Sequence, residues 1–228
     1  MSAQASLRVS REQLALGTAG IAVSALCWAW SLRAAAHSSH GAAVWPLFAM
    51  WAVMMGGMMI PPELPDLLRR ARGTEALGGA ALFLSGYLAP WIGFSLGAAA
   101  LHAALFDAGV LHHGMALADR GAQAAVLAAA GISQLSPLKK DCLARCRSRE
   151  APASLGPSLR SGVTSGAVSV GSCGMLMLVL FVTGVMSVPA MCALTALLVI
   201  ERVSPRWVPV SALAGVALLA CAGWRVIA

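Results

Sequence analysis

Seven long apolar segments follow one another along the chain, and they constrain its fold more than any other feature of the sequence. An α-helix needs roughly 20 apolar residues to cross a bilayer, and most of the segments approach or exceed that length. We therefore predict an all-α, polytopic membrane protein with about seven transmembrane helices. The segments are 14–36, 44–60, 77–106, 115–135, 163–186, 188–203 and 207–227.

The composition supports this prediction and excludes a soluble fold. Apolar residues make up 59% of the 228 residues and charged residues only 11%, against about 45–50% and about 25% in soluble domains. Neither an internal repeat nor a Ser/Gly-rich linker separates the segments, so we expect the chain, 1–228, to be a single domain. We expect a turn at the prolines of 61–65, a hairpin at 107–113 and one longer loop at 137–160.

The basic residues orient the segments. With seven spans, all but three of the 16 Lys and Arg residues fall on the face that holds the amino terminus, and membrane proteins concentrate such residues on the cytoplasmic side. The amino terminus is therefore expected in the cytoplasm. The net charge of +7 is expected to meet anionic lipid headgroups rather than nucleic acid. The predicted outer face carries only Arg33, Arg120 and Arg225.

Histidines are the first candidate metal ligands, and all of them fall on the predicted outer side. His102 lies near the outer end of the third segment, and four others lie in outer connections close in sequence to Asp107 and Asp119. Imidazole and carboxylate groups together bind copper, zinc or nickel, although polar residues also populate outer loops without binding a ligand. The four candidates are His37, His40, His112 and His113.

Methionines line the second segment. Met50, Met54 and Met58 are spaced four residues apart and share one helix face, which Met55 and Met59 flank. Thioether sulfurs are soft ligands that select Cu(I). The alternative is that methionine fills irregular gaps between helices.

Cysteines add further soft ligands. Cys142 and Cys146 are four residues apart and would share one face of a short helix, among basic residues that favour the thiolate form. The alternative is an amphipathic interfacial helix that buries two small apolar side chains. Cys173 and Met177 lie within the fifth segment and complete the candidate metal ligands.

Several motifs occur in one order between residues 50 and 206. They are Trp51, Met54, Met55, Met58, Met59 and Pro61; then Gly86, Tyr87, Trp91, Phe94 and Ser95; then Gly131, Gln134, Pro137, Leu138, Lys139, Cys142, Leu143, Cys146, Arg147 and Ser148; and last Gly184, Val185, Met186 and Glu201. This arrangement resembles a bacterial family of predicted metal-binding integral membrane proteins, a domain of unknown function. The resemblance implies a metal site within the membrane.

The fifth segment departs from the pattern of that family. Its members typically carry a Gly-Cys-Cys-Trp run there, preceded by a His and a further Cys. The resemblance places Gly171-Ser172-Cys173-Gly174 on the run and Ser165 and Ser169 on the upstream pair. This chain would then keep one sulfur of such a site. Either the metal binds at the methionines and the pair Cys142 and Cys146, or the chain keeps the scaffold without binding metal.

We predict a multi-pass protein of the bacterial inner membrane that binds a soft metal, copper before zinc, for transport or delivery. The lipid bilayer is its expected partner. The alternative is a non-catalytic accessory subunit of a larger membrane complex, or a homo-oligomer. No phosphate-binding Gly-rich loop is present, so an enzyme is the less favoured class. A thiol enzyme that uses Cys142 and Cys146 lacks an evident acid–base partner nearby.

Overall fold

The computed structural model describes residues 11–36, 43–70, 76–111, 115–137, 139, 141, 155–204 and 209–227. These residues are mostly helical, as predicted; an isolated antiparallel bridge joins Leu111 to Leu117. The helices are α1 (Arg11–Ala36), α2 (Val44–Arg70), α3 (Ala76–Asp107), α4 (Arg120–Leu135), α5 (Leu155–Met177), α6 (Leu180–Thr183), α7 (Val188–Val203) and α8 (Val210–Ile227).

Five helical regions among the described residues are long and apolar enough to cross a membrane. Two of the predicted spans correspond to α4 and α7, which have 16 residues each. Such a helix is about 24 Å long, against a hydrocarbon core of about 30 Å. Length and composition therefore support five of the seven predicted spans. These are Leu14–Arg33, Val44–Leu68, Leu77–Asp107, Ser158–Thr183 and Val210–Ile227.

Contacts between the helices show that their directions alternate along the chain. Ser24 lies against Gly57, whereas a Cβ on Gly17 would meet Leu68, so α1 and α2 are antiparallel. The same reversal relates α2 to α3 and α4 to α8. We call the end of the bundle that holds the start of α2 and the end of α3 the outer end. The opposite end is called the inner end; both names follow the predicted orientation.

Helices α3 and α5 run in the same direction and pack closely. The backbone of Phe83 faces Gly162, and the ring of Phe94 faces Gly174, eleven and twelve residues further along the two helices. A Cβ on Gly86, Gly162 or Gly166 would lie only 2.2–2.4 Å from a carbonyl oxygen of the facing helix. Small residues at such a seam let two backbones approach where no larger side chain fits.

The prediction of a turn at the prolines is wrong, because α2 continues through Pro61, Pro62 and Pro65. A proline inside a helix lacks the N–H that would bond to the carbonyl four residues earlier, which for Pro61 is that of Gly57. The hydroxyl of Ser24 donates to that carbonyl at 2.7 Å. A neighbouring helix thus replaces the lost bond, which is the condition under which prolines are tolerated inside membrane helices.

The loop predicted at 137–160 is shorter than expected. Pro137, Lys139 and Asp141 are helical, and α5 begins at Leu155. Pro157 lies in the first turn of α5, where a missing N–H leaves no intrahelical bond unmade. Apolar content alone gave no signal for this early start, because the first turns of α5 are polar.

Two other element boundaries are set by local chemistry. The segment predicted at 163–186 is divided, since α5 ends at Met177 and α6 ends at Thr183, before Gly184 with a φ of 94°. Helix α4 begins at Arg120 rather than at residue 115. Asp119 caps it, accepting a hydrogen bond from the Ala122 N–H at 2.6 Å.

Candidate metal site

All five methionines of α2 are buried, both the three that share one face and the two that flank it. This follows from the central position of α2, which packs against α1, α3 and α7. Met177 of α5 lies in the same contiguous cluster of buried side chains. Each of these six side chains is at most 1% exposed. We call this set the methionine core: Met50, Met54, Met55, Met58, Met59 and Met177.

Cys173 lies one helical turn before Met177 and packs against the same cluster. Its Sγ is 3.3 Å from the hydroxyl oxygen of Ser172. Met175, on the same helix, faces away from the bundle and is 39% exposed. The side chains of Cys173 and Met177 therefore reach the interior of the bundle, whereas that of Met175 does not.

An imidazole lies toward the outer end of the methionine core. His102 is buried, and its Nδ1 accepts a hydrogen bond from the Trp51 indole N–H at 3.4 Å. The ring of Phe181 packs edge-to-face on His102 and tilted on Trp51, with centroid distances of 5.7 and 5.3 Å. His102 is thus held on the α2 face that carries Trp51 and its neighbours in the methionine core.

Tyr87 connects the methionine core to a row of hydroxyl groups on α5. Its hydroxyl donates to the carbonyl oxygen of Met59 at 3.5 Å and lies 3.1 Å from the hydroxyl of Ser169. Ser165, one turn earlier, donates to Glu63 Oε1 at 3.1 Å. The buried serines of α5 therefore run from the level of Cys173 toward the inner end.

Charged side chains are buried at the inner end, a feature that the sequence analysis missed. Arg202 of α7 forms ion pairs with Glu63 and Asp66 of α2. Lys139 and Glu201 form a second pair at 2.9 Å, and each of these side chains is 2% exposed. We call these five residues the inner-end ion-pair network.

A sequence signal for this network exists. Glu63 and Asp66 directly follow the methionine-rich run, and Glu201 and Arg202 close an apolar segment. Ionisable residues at or within such segments usually face the bundle interior and pair with one another. Two segments that carry opposite charges at the same predicted end can be interpreted as partners. That interpretation would have identified the network.

The remaining candidates fall outside the part of the chain that the structure describes. They are His37, His40, His112, His113, Cys142 and Cys146. Within the described ranges, no three residues of the types His, Cys, Asp and Glu come together as a metal site. The described candidates that share one cluster of buried and partly buried side chains are the sulfur-bearing residues of α2 and α5.

The chain matches a protein family over residues 48–225, most of its length. That family is PpoB2, described as a copper chaperone. The chain belongs to this copper chaperone family. Neither the curated proteins nor the solved structures include a match to the chain.

The copper chaperone family match begins inside α2 and ends inside α8. It contains the whole methionine core and Cys173, and it extends beyond the range of about 50–206 expected from the resemblance. Helix α1 lies outside it. Membership supports copper handling, which agrees with the soft ligands predicted on α2 and α5.

The structure also places the positions at which this chain departs from the resembling pattern. Ser165, Ser169 and Ser172 face Glu63, Tyr87 and Cys173, respectively, so these positions line the interior. A Cβ on Gly174 would lie 3.3 Å from the Phe94 ring. Phe94 therefore lies where a larger side chain at residue 174 would have to extend.

Proposed function

We propose that the protein binds Cu(I) at the methionine core and Cys173, within a bundle that spans the bacterial inner membrane, and delivers it between the two faces. The observation that carries this proposal is the burial of six methionines in one cluster, with the half-buried Cys173 packed against it, in a copper chaperone family member. Copper is the cargo of the protein in this proposal, rather than a resident cofactor.

The chemistry of these ligands suits Cu(I). Thioethers and thiolates are soft ligands that favour Cu(I) over harder ions such as Mg²⁺. A cation in an apolar interior is costly unless its charge is compensated, and a thiolate at Cys173 would compensate the single charge of Cu(I). Methionine side chains also rearrange readily, because each has three rotatable bonds.

The order of groups along the bundle favours passage from the outer to the inner end. His102 and Trp51 lie toward the outer end, the methionine core follows, and Cys173 and the α5 serines lead toward the inner-end ion-pair network. In this proposal the outer histidines capture copper and Cys142 and Cys146 receive it. The predicted orientation assigns the outer histidines to one end of that order and Cys142 and Cys146 to the other.

Copper content of the purified full-length protein tests the proposal. After loading with Cu(I) under anaerobic conditions, we expect M54L/M58L, C173S and M177L to bind copper at least about tenfold more weakly than the wild type. The matched controls are M175L and C192S, which alter an exposed methionine and an exposed cysteine. These controls should bind like the wild type.

The opposite result would favour the accessory-subunit alternative. If wild-type protein held no more copper than an unrelated membrane protein, and a partner co-purified in fixed stoichiometry, the methionine core would be packing alone. Equal copper in every variant would place the site among the remaining candidates instead.

A further inference from the structure

A groove runs between α4 and α8, on the outer-end side of the point where the two helices touch. The two antiparallel helices touch most closely at Gly131 and Gly215, where a Cβ on either glycine would lie 3.0 Å from the other's carbonyl oxygen. Toward the start of α4 and the end of α8 the helices border an open groove of about 830 Å³. The α5–α6 region, including Val179 and Val182, forms part of its wall.

The lining of this groove is amphipathic along its length. Leu127, Leu218 and Trp224 supply apolar surface, and Arg120 and Arg225 lie together at the outer end of the lining. This meeting follows from the topology, since Arg120 begins α4 and Arg225 lies in the last turn of the antiparallel α8. Seven residues separate Leu127 from Arg120, so the groove extends about 10 Å into the bundle.

The charge of the groove is unusual for its face. Only three basic residues fall on the predicted outer face, and two of them line this one cavity. Asp119 is next in sequence, and its carboxylate accepts the N–H of Ala122 as the cap of α4. Arginine pairs recognise phosphate through bidentate, charge-assisted hydrogen bonds.

We infer that this groove binds an anionic phospholipid, with one acyl chain along the apolar lining and the phosphate at Arg120 and Arg225. The inference relies on the membrane placement in the proposed function but not on copper. About 10 Å is a third of the hydrocarbon core, so the bound chain belongs to the outer leaflet. Anionic headgroups are attracted to basic pockets between membrane helices.

Lipid-dependent melting of the purified full-length protein in a neutral detergent tests the inference. We expect phosphatidylglycerol to raise the melting temperature, and phosphatidylcholine with the same acyl chains to leave it unchanged. In R120Q/R225Q the apparent affinity for phosphatidylglycerol should fall about thirtyfold. R33Q is the matched control, because Arg33 is the remaining outer basic residue and does not line the groove.

A second variant separates the acyl chain from the charge. Ala220 lines the groove, so A220W should block the chain while both arginines remain, and phosphatidylglycerol should no longer stabilise the protein. Inorganic phosphate alone should stabilise neither the wild type nor A220W.

Wild-type affinity in R120Q/R225Q or in A220W, or equal stabilisation by inorganic phosphate, would overturn the inference. If R120Q/R225Q does not fold, A220W and native mass spectrometry of the wild type with both lipids decide it. Copper content is no readout here, so failure of the copper proposal would leave this result standing.

Discussion

The methionine core and the inner-end ion-pair network are both buried, yet they are built from opposite chemistry. In the methionine core, six uncharged side chains pack with few directional contacts. In the network, three carboxylates and two cations hold one another through ion pairs between α2, α7 and Lys139. The stability of the methionine core depends on the volume and polarizability of its side chains. The stability of the network depends on each charged partner being present.

Under the proposed function, the two regions have different tasks. Flexible thioethers allow side chains to move around a ligand with little loss of packing. Buried ion pairs have the opposite property, because removing one partner leaves an uncompensated charge. We expect the network to fix the helices at the inner end while the methionine core rearranges between them.

The largest effect is expected from breaking the most buried ion pair. K139M leaves Glu201 without its cation and should lower the free energy of unfolding by about 3–5 kcal/mol, measured by chemical denaturation in detergent micelles. K139M/E201Q should recover more than half of that loss, because the unpaired charge is removed as well. R160M, at an exposed arginine of α5, should change stability by less than about 0.5 kcal/mol. A single-variant loss as small as that of R160M would show that the network is not structural.

The α3–α5 seam should come second, since it positions α5, which carries Met177 of the methionine core. In G162A the new Cβ would lie 2.2 Å from the carbonyl oxygen of Phe83. Forcing the backbones apart should cost about 1–3 kcal/mol. G171A is the matched control, because nothing lies within 4 Å of a Cβ there; it should be neutral or stabilising by up to about 1 kcal/mol. Equal losses would contradict the close approach.

Tyr87 bonds the methionine core to the serines of α5, and its hydroxyl should contribute less to stability than the ion pair or the seam. Y87F removes the bonds to Ser169 and to the Met59 carbonyl and should cost about 0.5–1.5 kcal/mol. Y87F/S169A should be no less stable than Y87F, because the unpaired hydroxyl of Ser169 is removed too. Thermal melting followed by circular dichroism measures both variants, and additive losses would show that the two hydroxyls do not interact.

A stability loss below that of K139M is expected where the copper effect is large. Each leucine in M54L/M58L keeps the volume and apolar character of methionine, so each substitution should cost less than about 1.5 kcal/mol. The same protein should lose copper binding, as proposed above. A loss of stability as large as that of K139M would show that the methionine core tolerates substitution no better than the ion-pair network does. The two regions would then not differ in this respect.

The sequence predicts the helices better than it predicts what lies between them. Apolar runs identify segments such as 188–203 to the residue, since a proline lies in the first turn of that helix and a basic residue in its last turn. The prolines of α2 mislead, because the group that replaces their missing hydrogen bond comes from Ser24, far away in sequence.

The candidate site divides in the same way. The spacing of Met50, Met54 and Met58 predicts their shared helix face, and their burial with Met177 depends on the packing of α5. The inner-end ion-pair network joins residues more than a hundred positions apart, such as Glu63 and Arg202. Sequence spacing cannot measure such a distance, although the charges themselves indicate that partners are needed.

The hydrogen bond from Ser24 to Gly57 has a consequence for how much of the chain forms one folding unit. The family match begins after α1, yet Ser24 of α1 bonds to a carbonyl group of α2 that has no N–H partner at Pro61, and a buried polar group left without a hydrogen bond costs about 1–3 kcal/mol. The family match therefore begins further along the chain than the unit that these contacts stabilise. A peptide of residues 11–36, supplied separately, should reassociate with the remaining bundle, and a serine-to-alanine change at residue 24 should weaken that reassociation.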